Sequence, residues 1–176
     1  MNYLYHLLIY FEIYAIVALS LNLLIGYGGL LQVAHAAYYG IGAYAAALLW
    51  TKLGWGFFPG LAVGALAAGV LSLLVSLPAW RFKGDYFVMI SIAVQTLIYA
   101  VLYNWTELTN GPFGISGISR PGIGGYIFVT TSSVAVLYGV LAVGLGLVMA
   151  FLKWSPFGRA LQAMRDDELA ARSVCP

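Results

Sequence analysis

The chain has very few charged residues and a single cysteine, and each shortage restricts the class of protein. Charged residues make up 8% of the 176 residues, whereas hydrophobic residues make up 62%. A soluble domain carries about 25% charged residues, so this chain cannot cover a water-exposed surface and is predicted to be an integral membrane protein. One cysteine excludes an intrachain disulfide framework and a cysteine-ligated metal site.

The motifs of common enzymes are also missing. There is no glycine-rich Walker loop followed by Lys-Ser or Lys-Thr, so ATP binding by that route is not expected. The two histidines lie far apart, and no carboxylate pairs with a histidine and a nucleophile in a recognisable order. The net charge of +2 is too small to indicate nucleic-acid binding. We therefore expect a protein that is not an enzyme and has no cofactor and no metal site.

What the chain has in abundance is apolar runs of about 20 residues, the length of a membrane-spanning helix. No run shows the sustained alternation of a membrane β-barrel, so the predicted fold is an all-α, polytopic helical bundle. The glycines at 28 and 29 leave open whether the second span is continuous or re-entrant. Five spans are predicted, at residues 3–24, 30–50, 57–79, 86–103 and 132–152, with a glycine-rich outer loop at 104–131 and a polar segment at 153–176.

Basic residues predict the orientation, because Lys and Arg next to spans stay on the cytoplasmic side. If the five spans alternate, only Lys52 and Arg120 fall on the outer side. The N-terminus is then outside and the polar segment 153–176 is cytoplasmic. The other six of the eight basic residues agree with this topology: Arg81, Lys83, Lys153, Arg159, Arg165 and Arg172.

The polar segment after the last span predicts a short amphipathic helix. Ser155 is expected to cap it and Pro156 to take its first position, where the missing N–H of proline would be unpaired anyway. One apolar face is formed by Phe157, Ala160, Leu161 and Met164.

Such a helix either rests on the bilayer or docks to a protein partner. Three consecutive acids, Asp166, Asp167 and Glu168, favour a protein partner, because the cytoplasmic leaflet is itself anionic.

Several motifs resemble the permease subunits of branched-chain amino-acid ABC importers (LivM-like). They occur in the same order as in that family and cover most of the chain. They are residues 19–31 with 35–44, the short turn at 84–87, the glycine-rich loop at 109–118, and residues 155–161 with 165–171.

The resemblance implies an ATP-driven importer of leucine, isoleucine or valine in the inner membrane of a prokaryote. It implies as partners a second permease subunit, two ATPase subunits on the cytoplasmic face and an external binding protein, with lipid around the spans. Family members continue with further spans, so the chain is expected to be truncated at its C-terminus. The residues that would couple to the ATPase are Ser155, Pro156, Phe157, Gly158, Arg159, Leu161, Arg165, Asp166, Asp167 and Glu168.

Two other functions stay open at this point. One is a non-transporting fragment of such a permease. The other is a secondary transporter or channel driven by an ion gradient through Glu12 or His35.

Polar residues inside spans usually face the bundle interior, because they are costly in lipid. We expect Asn22, Gln32, His35 and Gln95 to line a translocation pathway, although such residues also bridge helices by hydrogen bonds. Glu12 is either an ion-coupling carboxylate or, as we favour, a protonated or snorkelling acid near the outer end of the first span. In the outer loop, the candidate positions are Gly111, Pro112, Gly114 and Gly117.

Overall fold

The computed structural model describes residues 2–77, 84–118, 120–123 and 126–166. Two compact units divide the chain, one formed by Met1–Leu31 and Val129–Pro176 and the other by Gln32–Phe128. The helices are α1 (Asn2–Asn22), a π-helical segment (Leu23–Tyr27), α2 (His35–Leu53), α3 (Phe57–Ser76), α4 (Asp85–Asn104), α5 (Thr106–Thr109), a 3₁₀ turn (Gly111–Phe113), α6 (Thr131–Trp154) and α7 (Pro156–Asp166).

The all-α membrane bundle predicted from the sequence is confirmed. Four helical stretches in the described part of the chain are long and apolar enough to cross a membrane. They are Tyr3–Tyr27, Phe57–Ser76, Asp85–Asn104 and Thr131–Trp154.

Helix α2, in the region of the predicted second span, is not among these four. Its 19 residues would be long enough, but they include His35, Lys52 and three tyrosines among many alanines and glycines. Its start also differs from the prediction: the apolar run begins at Leu30, whereas the helix begins at His35. The backbone N–H of Val33 donates instead to the side chain of Ser91, and not to a carbonyl one turn earlier.

In the first unit, α1 packs along α6. The helices approach closely at Gly139, where an added Cβ would lie 3.0 Å from the Oε1 atom of Glu12. The end of α1 widens into the π-helical segment, in which the N–H of Gly28 donates to the carbonyl of Leu23 at 3.2 Å. Wide turns of this kind are rare and are frequently found at functional sites.

In the second unit, α2 packs against α3, and α4 also contacts α2. The close approach between α2 and α3 depends on two glycines: a Cβ on Gly64 would lie 2.7 Å from the carbonyl oxygen of Gly42. Small residues at such a crossing let two membrane helices pack backbone to backbone.

The outer loop has more local structure than its Gly, Pro and Ser content predicts. Helix α5 and the 3₁₀ turn follow α4, and β1 (Gly122–Ile123) pairs antiparallel with β2 (Tyr126–Ile127). A buried threonine, Thr109, supplies the hydrogen bonds that hold the first part of the loop.

Some predicted positions lie outside the described residues. They are residues 78–79 at the end of the third predicted span, the basic residues Arg81, Lys83 and Arg172, and the acids Asp167 and Glu168.

Candidate functional site

The junction between α6 and α7 is a tight turn built around Ser155. Its hydroxyl donates to the carbonyl of Leu152 at 2.7 Å and accepts the backbone N–H of Gly158 at 3.1 Å. This is the geometry of a helix cap, so the capping role predicted for Ser155, with Pro156 in the first turn, is confirmed. Gly158 is buried, and a Cβ at this position would collide with the carbonyl oxygen of Leu152. The turn therefore fixes the direction in which α7 leaves α6.

Helix α7 presents part of its apolar face to the surroundings. Phe157 is 62% exposed and Met164 is 50% exposed. They lie seven residues apart and hence on the same side of the helix, while Leu161 is half-buried. On the flank, the guanidinium of Arg159 donates to the carbonyl of Trp154 at 3.1 Å. The helix is thus a short polar element with two exposed apolar side chains.

The end of α7 meets the end of α1 through Arg165. Its Nη1 atom donates to the carbonyl oxygen of Gly26 at 2.6 Å, and its Nε donates to Asp166 at 3.1 Å. A pocket of about 340 Å³ lies here. Its lining is Asn22, Gly26, Tyr27, Lys153, Gln162, Arg165 and Asp166.

The pocket also contains Asn22, which the sequence predicts to line the translocation pathway. Asn22 lines the pocket together with Arg165 and Asp166 of α7. Its side chain also fills the space beside Gly26, where a Cβ would collide with the amide oxygen of Asn22. Of the predicted site residues, the structure thus brings Asn22 together with the end of α7.

A second polar group lies in the unit Gln32–Phe128. The amide of Gln32 donates to the hydroxyl of Tyr38, and the rings of His35 and Tyr38 meet edge to face with centroids 6.4 Å apart. Ser91, which is fully buried, accepts the N–H of Val33 at 3.1 Å. The start of α2 is therefore held against α4 by a polar contact.

Gln95 lies one turn after Ser91 on α4 and shares its face. The Oε1 atom of Gln95 is buried and has no hydrogen-bond partner among the described residues. The face of α4 that carries Ser91 and Gln95 therefore has one acceptor, the Oε1 atom of Gln95, that no described residue uses.

The sequence reasoning missed Ser91 and Tyr38. The signal for Ser91 is its spacing of four residues from Gln95, which puts both polar side chains on one face of an otherwise apolar helix. The signal for Tyr38 is weaker, since tyrosines are frequent in this chain.

Glu12 lies in an open groove of about 670 Å³ along α1 and α6. The lining is mostly apolar and includes Leu8, Val136, Val140 and Val143. The Oε2 atom of Glu12 is buried and has no hydrogen-bond partner in the part of the chain that the structure describes.

Of the predicted positions in the outer loop, Gly111 contacts Thr109, which is 1% exposed. Its hydroxyl lies 2.6 Å from the carbonyl oxygen of Leu102 and 2.7 Å from that of Trp105, and it accepts the N–H of Gly111 at 3.2 Å. Gly111 is buried, whereas Pro112 and Gly117 are exposed and Gly114 is half-buried. Thr109 is therefore the structural centre of this segment.

These features define the class: a multi-pass helical membrane protein with a short amphipathic helix capped directly after a long apolar one. Residues 3–175 match the family described as the permease component of the branched-chain amino acid transport system. The chain belongs to this family.

Individual relatives agree with the family. The chain is 35% identical to the high-affinity branched-chain amino acid transport system permease protein LivM of Escherichia coli (strain K12) and 34% identical to the protein of the same name of Salmonella typhimurium. Each match covers 92% of this chain and 44% of the relative. A probable LivM protein of Methanocaldococcus jannaschii is 27% identical over 92% of this chain and 56% of its own length.

The chain thus spans less than half of the length of the two bacterial relatives. No solved structure gives a significant match.

Proposed function

We propose that this chain is a membrane-spanning permease subunit of an ATP-driven importer of branched-chain amino acids, and that α7 docks to an ATPase subunit. The family and the names of the relatives support the transport function. The proposed location is the inner membrane of a prokaryote, with α7 in the cytoplasm and the N-terminus outside, which requires that α2 also cross the membrane as a fifth span. The proposed partners are a second permease subunit, two ATPase subunits and an external binding protein.

The observation that carries the docking proposal is the exposed apolar face of α7 on a fixed turn. Phe157 and Met164 are both half-exposed or more. The cap at Ser155 and the close approach at Gly158 orient this face relative to α6. An apolar face on a rigid, polar helix is the geometry by which a helix docks into a groove of a partner. The same face would also suit a bilayer surface, which the test below distinguishes.

We assign the translocation pathway to the polar group of the second unit, namely Gln32, His35 and Gln95. Gln95 supports this assignment because its buried carbonyl oxygen has no partner among the described residues. Asn22 is assigned instead to coupling, because it lines the pocket with Arg165.

The test of docking is co-purification of the ATPase with the Phe157→Ala variant. Complete burial of a phenylalanine side chain is worth about 1.5–3 kcal/mol, which corresponds to about tenfold to a hundredfold in affinity. We therefore expect the ATPase to be recovered at much lower yield with Phe157→Ala. The matched control is Phe113→Ala, since Phe113 is 89% exposed in the outer loop.

Equal recovery of the ATPase with both variants would contradict the docking of α7 and would favour a helix that rests on the bilayer. Equal loss with both variants would also count against it, because the effect would then not be specific to α7.

A further inference from the structure

The end of α7 is tied to the π-helical end of α1 by one side chain. Arg165 reaches back along the chain to the carbonyl oxygen of Gly26, at 2.6 Å. Its aliphatic part lies over Gly29, where an added Cβ would collide with the Cγ atom of Arg165. The contact thus combines a hydrogen bond to the backbone with packing on a residue that has no side chain.

The acceptor of this hydrogen bond is part of an unusual turn. Carbonyl groups at the end of a helix carry partial negative charge, and a cation placed there is favourable. The π-helical segment Leu23–Tyr27 also has wider turns than an α-helix, and such segments occur frequently at functional sites. Arg165 therefore binds the backbone of the segment in which α1 changes from α-helix to π-helix.

The guanidinium is held in a defined orientation. Its Nε atom bonds to Asp166 and its Nη1 atom bonds to Gly26, so two of its donors are used in different directions. A planar guanidinium can do this, whereas a lysine ammonium supplies the charge without the same fork. The ion pair with Asp166 is exposed and by itself stabilises little. The contribution of the ion pair is to orient the Arg165 side chain toward the carbonyl oxygen of Gly26.

We propose that Arg165 is a positioning residue that transmits movement of α7 to the π-helical end of α1 and to the glycine-rich break at 26–29. Arg165 then acts within the permease and does not contact the ATPase. That the ATPase moves α7 rests on the proposed function. The contact between α7 and the end of α1 does not, because it is a hydrogen bond in the structure.

Two readouts test this in the assembled transporter that contains the chain, purified with its ATPase and reconstituted in proteoliposomes. The first is hydrogen exchange of residues 23–30 by mass spectrometry. Loss of a charge-assisted hydrogen bond at a half-exposed site predicts exchange about threefold to tenfold faster in Arg165→Ala. The second is leucine taken up per ATP hydrolysed, which we expect to fall at least about fivefold while the ATPase stays bound. Arg165→Lys is expected to restore part of both.

A pair of glycine variants tests the packing contact separately. Gly29 and Gly54 have nearly the same positive φ, 66° and 64°, which alanine rarely adopts. Only at Gly29 does the added Cβ meet Arg165, since nothing lies within 4 Å at Gly54. Gly29→Ala is expected to increase the exchange of residues 23–30 and to lower the coupling ratio, and Gly54→Ala is expected to change neither.

Unchanged exchange and coupling in Arg165→Ala would overturn the inference. Loss of the ATPase from Arg165→Ala would also overturn it, because Arg165 would then be a direct contact of the ATPase, and the proposed function would stand. A wild-type assembly that takes up no leucine with ATP would contradict the proposed function, while the exchange measurement would still decide whether Arg165 holds α1.

Discussion

Replacing Gly158 with alanine perturbs the turn between α6 and α7 by a single methyl group. The added Cβ would collide with the carbonyl oxygen of Leu152 and would lie 2.9 Å from its carbonyl carbon. Both are backbone atoms, so no flexible side chain can move away. The strain is relieved only if the start of α7 moves away from α6, which breaks the hydrogen bond from Gly158 to Ser155.

The size of the effect follows from three contributions. Relief of an overpacked contact costs about 1–3 kcal/mol, and loss of a serine cap costs about 1 kcal/mol. Alanine is better than glycine within a helix by about 1 kcal/mol, which offsets part of this. The net cost is about 1–3 kcal/mol, so the equilibrium constant that favours the observed orientation of α7 over other orientations falls about fivefold to a hundredfold.

The assay is leucine uptake and ATP hydrolysis by the reconstituted transporter. If α7 is the coupling element, uptake per ATP hydrolysed falls in Gly158→Ala, by up to the factor by which the equilibrium constant falls. Gly146→Ala is the matched control, because Gly146 lies in α6 and nothing lies within 4 Å of its added Cβ. Wild-type uptake in Gly158→Ala, or an equal loss in both variants, would refute the reasoning.

Two further predictions concern the second unit. Gly64→Ala is expected to destabilise the α2–α3 packing by about 1–3 kcal/mol, because the Cβ would lie 2.7 Å from a facing carbonyl oxygen. The control Gly69→Ala, whose Cβ would have nothing within 4 Å, is expected to have little effect. Equal thermal unfolding of the two variants in detergent would contradict this prediction. Thr109→Val is expected to destabilise the outer loop by about 1–3 kcal/mol, because the buried hydroxyl is lost. Limited proteolysis should cut the loop faster in this variant than in the control Thr96→Val, which removes an exposed hydroxyl that bonds one carbonyl. Equal cutting rates would argue against a central role for Thr109.

The parts of the fold that the sequence predicts are those determined locally. Apolar runs of spanning length predict the all-α bundle, and Ser155 followed by Pro156 predicts the cap of α7, because a cap involves only neighbouring residues. The start of α2 was predicted less well, because the N–H of Val33 is taken by Ser91, which is 58 positions away. No local pattern contains that contact.

The same reason explains the candidate sites. Arg165 and Asn22 could be named as polar residues, but their shared pocket depends on the packing of α7 at the end of α1. Arg165 and Gly26 are 139 positions apart, and Gly26 contributes only its backbone. Backbone acceptors carry no sequence signal, so this contact could be found only in the structure.

The central claim is tested most directly by leucine uptake into proteoliposomes that contain the assembled permease, its ATPase and the external binding protein. The account predicts uptake that requires ATP on the side of α7 and continues when proton and sodium gradients are abolished. Uptake that proceeds without ATP and stops when those gradients are removed would contradict it, and would identify the chain as part of an ion-driven transporter.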